Sequence, residues 1–131
     1  MGIIYAELLL SNPAQPTLQP VRVTATVDTG AVTLCIPEHI AIQLQLEETE
    51  QREVTTADTK SHLVPYVGPL RINYLGRTCY TGALVLGDTV LMGAIPLEDM
   101  DLVISSRENT VTVNPNSPNI PSVIVKSLSL E

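Results

Sequence analysis

Phenylalanine and tryptophan are absent, and tyrosine occurs only four times in 131 residues. A core without large rings has to be assembled from Val, Leu, Ile and Ala, side chains that fit pleated, half-buried surfaces. Basic residues are scarce as well: seven Lys and Arg stand against fourteen Asp and Glu, a net charge of −7. They form no cluster, which excludes the electrostatic footprint of a nucleic-acid or anionic-membrane binder. Cysteine is limited to Cys35 and Cys79, both in segments that read as strands, so buried free thiols are favoured over a disulfide or a reactive role. His39 and His62 stand alone, and no Cys/His spacing suits a metal. The opening MGIIYAELLLSNP has no basic stretch, and its apolar run is too short for a signal peptide or a membrane span. A cytoplasmic, reducing setting is the resulting expectation.

What is present is 44% hydrophobic residues punctuated by ten Pro and seven Gly. That stock suits a single all-β domain of short strands and turns. The most informative stretch is VRVTATVDTGAVTLCIP, Val21 to Pro37. Val21, Val23, Ala25 and Val27 alternate with polar residues, the pattern of a strand with one buried face, and Thr33 to Ile36 reads as a second strand. Between them lie Asp28, Thr29 and Gly30. A carboxylate at the end of a buried strand is costly unless hydrogen-bonded or paired. Thr supplies a hydroxyl, and Gly allows a sharp turn with amides facing inward. An ordinary β-turn is the plain alternative, because Asp and Gly favour turns in any context.

Along the chain, Ile3 to Leu10 reads as a strand and Ala14 to Pro20 as a loop. Pro37 and Glu38 open a short helix expected to run to about Leu46, with Ile40 and Leu44 as its apolar stripe. Glu47 to Glu53 is charged and solvated. Val54 to Val64 is a polar hairpin candidate with its turn near Ala57 to Lys60. Pro65 to Tyr74 and Arg77 to Leu86 are two strands joined at Leu75-Gly76, and Gly87-Asp88-Thr89 is a turn before the buried run Val90 to Gly93. Pro96 to Met100 suggests a single helical turn, with strands at Leu102 to Ile104 and Thr110 to Val113. The last residues, NPNSPNIPSVIVKSLSLE, carry regularly spaced prolines and read as extended or disordered.

Asp28-Thr29-Gly30-Ala31 after an alternating strand, then a Pro-started helix, then TTAD, then VLMGAIPLEDMDLVI resembles the single-domain retropepsin-like aspartic proteases, in particular their small prokaryotic branch. The resemblance covers Val21 to Pro115. It implies a closed β-barrel of the acid-protease fold, one half of a pepsin, with one or two short helices. Residues 1–115 would form the protease domain and 116–131 a Pro/Asn-rich tail, either an intersubunit strand or disordered. Asp28 matches the catalytic aspartate, and Thr29, Gly30 and Ala31 the loop that rigidifies around it. Leu91, Met92 and Gly93 match the run that supports this loop from below. Thr55, Thr56, Ala57, Asp58 and Thr59 fall in the flap that closes over substrate. The family usually places Gly at the flap tip; here Asp58-Thr59-Lys60 must turn without it, and Asp, tolerant of unusual backbone angles, is the residue expected to do so.

The implied chemistry needs two carboxylates sharing one proton: one activates water, and the other hydrogen-bonds the carbonyl under attack. Asp58-Thr59 is followed by Lys60 and Asp88-Thr89 by Val90, so neither repeats the motif. The second carboxylate then comes from another chain, in a two-fold homodimer acting on peptide or protein substrates without metal or other cofactor. A non-catalytic dimeric β-barrel that binds peptide or protein through the same cleft is the alternative. A generic barrel whose Asp-Thr-Gly is only a turn is a third.

Overall fold

The computed structural model describes residues 2–130, so Met1 and Glu131, the outer ends of the expected domain and tail, lie outside the described residues. Among the described residues nine strands and two short helices follow one another: β1 (Tyr5–Ser11), β2 (Val21–Val27), β3 (Leu34–Ile36), α1 (Glu38–Gln43), β4 (Glu47–Thr55), β5 (Ser61–Tyr74), β6 (Arg77–Val85), β7 (Val90–Met92), α2 (Ala94–Asp99), β8 (Leu102–Ser105) and β9 (Thr110–Val113). Six of the strands, in the order β1-β2-β7-β3-β6-β5, close into a barrel through a β1–β5 pairing at Leu9↔Asn73, Leu10↔Ile72 and Ser11↔Arg71. Closure leaves this ring without a free edge. β4 lies outside it, paired to β5 alone, and β8–β9 form a separate hairpin.

The barrel is filled as the missing aromatics require. Leu8, Leu10, Leu34, Ile36, Leu70 and Ile72 are among the fully buried side chains, joined by Met92 and Met100. Each such aliphatic side chain contributes about 2 kcal/mol on leaving water. Alternation in β1 and β2 delivers it directly: Ala6, Leu8 and Leu10 face Val23 and Ala25 across an antiparallel ladder. Cys35 and Cys79 are both free thiols and both buried. Burial pushes both up, Cys79 to about 12 with Asp99 adding to it, and Asp28 adds to the rise at Cys35.

Three expectations need correction. The first helix stops at Gln43 rather than near Leu46, because Leu46 N–H bonds Ala41 O, Gln45 N–H bonds Ile42 O, and Gln45 turns left-handed at φ 50°. That is a Schellman ending with Gln in the place glycine usually takes. Glu47 to Glu53 is solvated but is also strand: it makes up most of β4, so the hairpin is much longer than Val54 to Val64. The second helix begins two residues ahead of Pro96, for a reason that belongs to the site below.

A polar knot ties the tail to the barrel. Buried Arg77 donates to the carbonyls of Met100 (3.1 Å), Asp101 (3.3 Å) and Ser117 (2.6 Å). Asp101 accepts from the Ser117 hydroxyl, the Ser122 amide and Asn114 Nδ2, which together hold its carboxyl down at about 2. Beyond Ser122, Val123, Ile124 and Val125 are exposed and belong to no strand.

Candidate active site

Asp28 stands at the mouth formed where β2 ends. Its amide donates to Met92 O (3.0 Å), its carbonyl accepts from Ala31 N–H (3.1 Å), and its Oδ1 accepts from Gly30 N–H (2.8 Å). The loop therefore closes on itself around the carboxylate. β7 is inserted between β2, to which it runs parallel, and β3, to which it runs antiparallel; Val27↔Met92 and Leu34↔Met92 set the two registers. Met92 is fully buried, whereas Leu91 reaches the cleft.

The start of α2 locks into this loop. The first amides of a helix have no partners within it, and here Gly93, Ala94 and Ile95 give theirs to Thr33 O (3.1 Å), Ala31 O (2.9 Å) and Val32 O (2.8 Å). These bonds draw the helix start back to Ala94. They also demand glycine at 93, where a Cβ would lie 2.4 Å from Thr33 O and 2.6 Å from Ala31 O. Leu91, Met92 and Gly93 thus lie directly beneath the Asp28 loop, which holds Thr29 and Gly30 exposed to solvent.

Over the loop hangs the β4–β5 hairpin, and between them is a cavity of about 840 Å³ lined by Asp28, Gly30 and Ala31 below and by Thr55, Thr56 and Ala57 above. The hairpin turns in three residues: Thr59 N–H bonds Thr56 O (2.9 Å) and Thr56 N–H bonds Lys60 O (3.1 Å). The left-handed position of that turn, at φ 65°, is taken by Thr59 and not by Asp58. Asp58 works through its side chain instead, accepting from the Thr56 hydroxyl (2.6 Å) and the Lys60 amide (3.1 Å). Those two bonds, with His62 nearby, hold its carboxyl below the ordinary aspartate value.

Several cleft residues carry no sequence signal. Val32 and Ile95 are exposed apolar side chains on the floor, and Cys35 reaches the cleft from β3. Arg52 and Tyr66 form its wall, brought together by strand register rather than by any local motif. Among the described residues no group of three or more His, Cys, Asp or Glu is placed to hold a metal ion. No helix among them is long and apolar enough to cross a membrane.

No protein-family model matches the chain, and no curated protein matches it. Solved structures do. The retroviral protease-like domain of Ddi1 from Leishmania major superposes with a TM-score of 0.60 at 15% identity, over 98% of this chain and 99% of that one. The EIAV protease complexed with the inhibitor HBY-793 gives 0.53 at 19% identity, over 75% of this chain and 88% of that one. A retropepsin-like aspartic protease from Rickettsia conorii gives 0.52 at 20% identity, over 80% and 76%. These superpositions give the chain the retropepsin-like aspartic protease fold.

Proposed function

We propose that the chain is an aspartic endopeptidase that works as a homodimer, with Asp28 of each copy forming the catalytic pair. The observation that carries this reading is the setting of Asp28: an exposed carboxylate on a loop clamped from below, opening on a cleft roofed by a hairpin. One chain supplies one such carboxylate. Two copies facing each other across a two-fold axis would share a single proton. The ionised member takes a proton from water, which attacks the scissile carbonyl, while the protonated member hydrogen-bonds the oxygen that gains charge. Apparent pKa values then belong to the pair. Thr29 would reach across the axis, Gly30 and Ala31 would hold the loop's shape, and Thr55 to Thr59 would cover a bound peptide. The apolar floor at Val32, Leu91 and Ile95 favours apolar side chains beside the cut bond.

In such an assembly residues 1–115 form the protease domain, and Val123 to Val125 in the tail are free to pair between subunits. The free thiols fit a reducing, cytoplasmic setting. A second reading, a dimeric barrel that binds peptide without cutting it, is favoured by the flap tip, where Asp58 and Thr59 stand in place of glycine.

The test is cleavage of denatured casein from about pH 3 to 7, with and without pepstatin, beside Asp28→Asn, and with sedimentation to read the assembly. Pepstatin-sensitive cleavage that Asp28→Asn abolishes, at protein concentrations where dimer forms, is the expected result. Cleavage that survives the Asn change removes Asp28 from the mechanism. A dimer that binds peptide and never cuts supports the second reading.

A further inference from the structure

We propose that Arg52 is a specificity-determining residue of the cleft, offering its guanidinium to a carboxylate of the bound peptide; the inference rests on the peptide-cleft reading above. Three charged side chains line the cavity, Asp28, Arg52 and Glu53, and Arg52 is the cation among them. It is held in place from two directions. Its guanidinium carbon lies 3.7 Å from the centroid of the Tyr66 ring, and its Nε donates to Glu50 Oε2 at 2.8 Å.

The support for that position spans three strands. Thr49 is an extra residue in β4, since Glu48 pairs with Val67 and Glu50 with Tyr66, and its hydroxyl donates to Tyr66 O at 3.2 Å. Such bulges re-aim the side chains that follow; this one sets Glu50 and Arg52 beside Tyr66. The ring in turn lies over Gly82 of β6, where a Cβ would stand 2.3 Å from Tyr66 Cζ and 2.5 Å from Cε2. Gly82 thus leaves room for the ring, and the ring supports the guanidinium.

With its face stacked and its Nε occupied, Arg52 keeps both Nη groups: among the described residues neither makes a hydrogen bond. Two parallel N–H groups on one edge match a carboxylate in bidentate fashion. The side chain is 46% exposed, so a ligand can reach it and the attraction is moderate and weakened by salt. Asp28 and Glu53 line the same cleft and repel acids elsewhere in it. The preference is therefore for an acidic side chain, or a chain-terminal carboxylate, at one position of an otherwise apolar peptide.

The experiment walks a Glu/Gln exchange through an apolar peptide of about eight residues. Binding is read by fluorescence anisotropy on the full chain carrying Asp28→Asn, and the same peptides are offered to the unmodified chain for cleavage. At one position Glu should bind about 5- to 10-fold more tightly than Gln at low salt. Arg52→Gln should bring that ratio close to one by weakening the Glu peptide more than the Gln peptide, and Arg52→Lys should retain part of it. No Glu preference at any position, or a preference that survives Arg52→Gln, overturns the proposal. Cleavage with no such preference leaves the protease reading standing while Arg52 loses its role. A preference that follows Arg52 with nothing cleaved does the reverse, and absence of binding by every peptide overturns both.

Discussion

Beneath Asp28, three successive amides from Gly93, Ala94 and Ile95 meet three carbonyls of the loop, backbone to backbone. Above it, the tip of the β4–β5 hairpin is stitched mainly by side chains: the Thr56 hydroxyl on Asp58, Asp58 on the Lys60 amide, the Thr59 hydroxyl on Asp58 O. The floor lies against buried Met92 and Thr33, whereas the nine residues of β4 include none that is buried. Backbone bonds shielded by packing open only with the surrounding structure, while exposed side-chain bonds open locally at little cost. The proposed protease, which would hold a carboxylate in a fixed place and admit a peptide from solvent, would use that division.

The sharpest way to break the contrast is to damage the floor. Gly93→Ala places a methyl group against two backbone carbonyls and an amide at 2.4 to 2.8 Å, with no flexible side chain to yield. We expect a loss of about 3 kcal/mol or more in global stability, read by urea denaturation, together with loss of assembly. A melting transition unchanged from the parent would mean that the α2 start is not the clamp described here.

Damage to the roof should be smaller and local. Gly82→Ala pushes on the Tyr66 ring, which borders the cleft and can shift outward, so the expected cost is about 1 to 2 kcal/mol. The informative reading is differential. Arg52 should lose its place, and with it the selection of a peptide acid, although its charge is untouched. If Gly82→Ala destabilises as much as Gly93→Ala, floor and roof are one cooperative unit and the contrast fails.

The floor was far more legible in the sequence than the roof, for the same physical reason. The alternation in Val21 to Val27, and the Asp-Thr-Gly after it, report burial on one side and a turn, both local signals. Leu91, Met92 and Gly93 showed as a short apolar run ending in glycine. β4 has no such alternation because neither of its faces packs into the core; it is a strand only because β5 offers it a ladder. Arg52 and Tyr66 meet through a bulge at Thr49 that no local pattern marks. Arg77 and Asp101 are likewise joined by tertiary approach alone. Helix ends were misplaced where the chain used unusual residues: Gln45 for a left-handed cap, and loop carbonyls in place of a side-chain cap at Gly93.

A milder change strengthens the roof. Thr59 carries a β-branched side chain at φ 65°, a conformation that costs an L-residue about 1 to 2 kcal/mol. Thr59→Gly removes that strain but gives up the hydroxyl bond to Asp58 O and adds chain entropy to the unfolded state. The balance should be a gain of about 0.5 kcal/mol, visible as roughly twofold slower hydrogen exchange at the flap tip and no change at Gly93 to Ile95. Faster exchange at the tip would show that the hydroxyl bond outweighs the backbone strain.

The smallest effect is expected from acid, and its direction follows from Asp58. The Thr56 hydroxyl first, and then the Lys60 amide, hold its carboxyl below the ordinary aspartate value, with His62 contributing. A group whose pKa is lowered on folding adds stability that is complete above its unfolded value, about 3.8, and drains away as pH falls through the lowered one. The staple therefore stays closed through the mildly acidic range in which a shared-proton carboxylate pair works, and releases only below it. His62 lies beside this staple, its Nε2 3.3 Å from the Thr56 hydroxyl, and adds to the lowering at Asp58. In an NMR titration the Lys60 amide should move with Asp58 at a midpoint below 3.8, while the amides of Gly93, Ala94 and Ile95 hold still. A Lys60 midpoint at the ordinary value would show the hydroxyl and amide bonds to be too weak to bind the tip, and floor amides moving in step would show that roof and floor are not separately built.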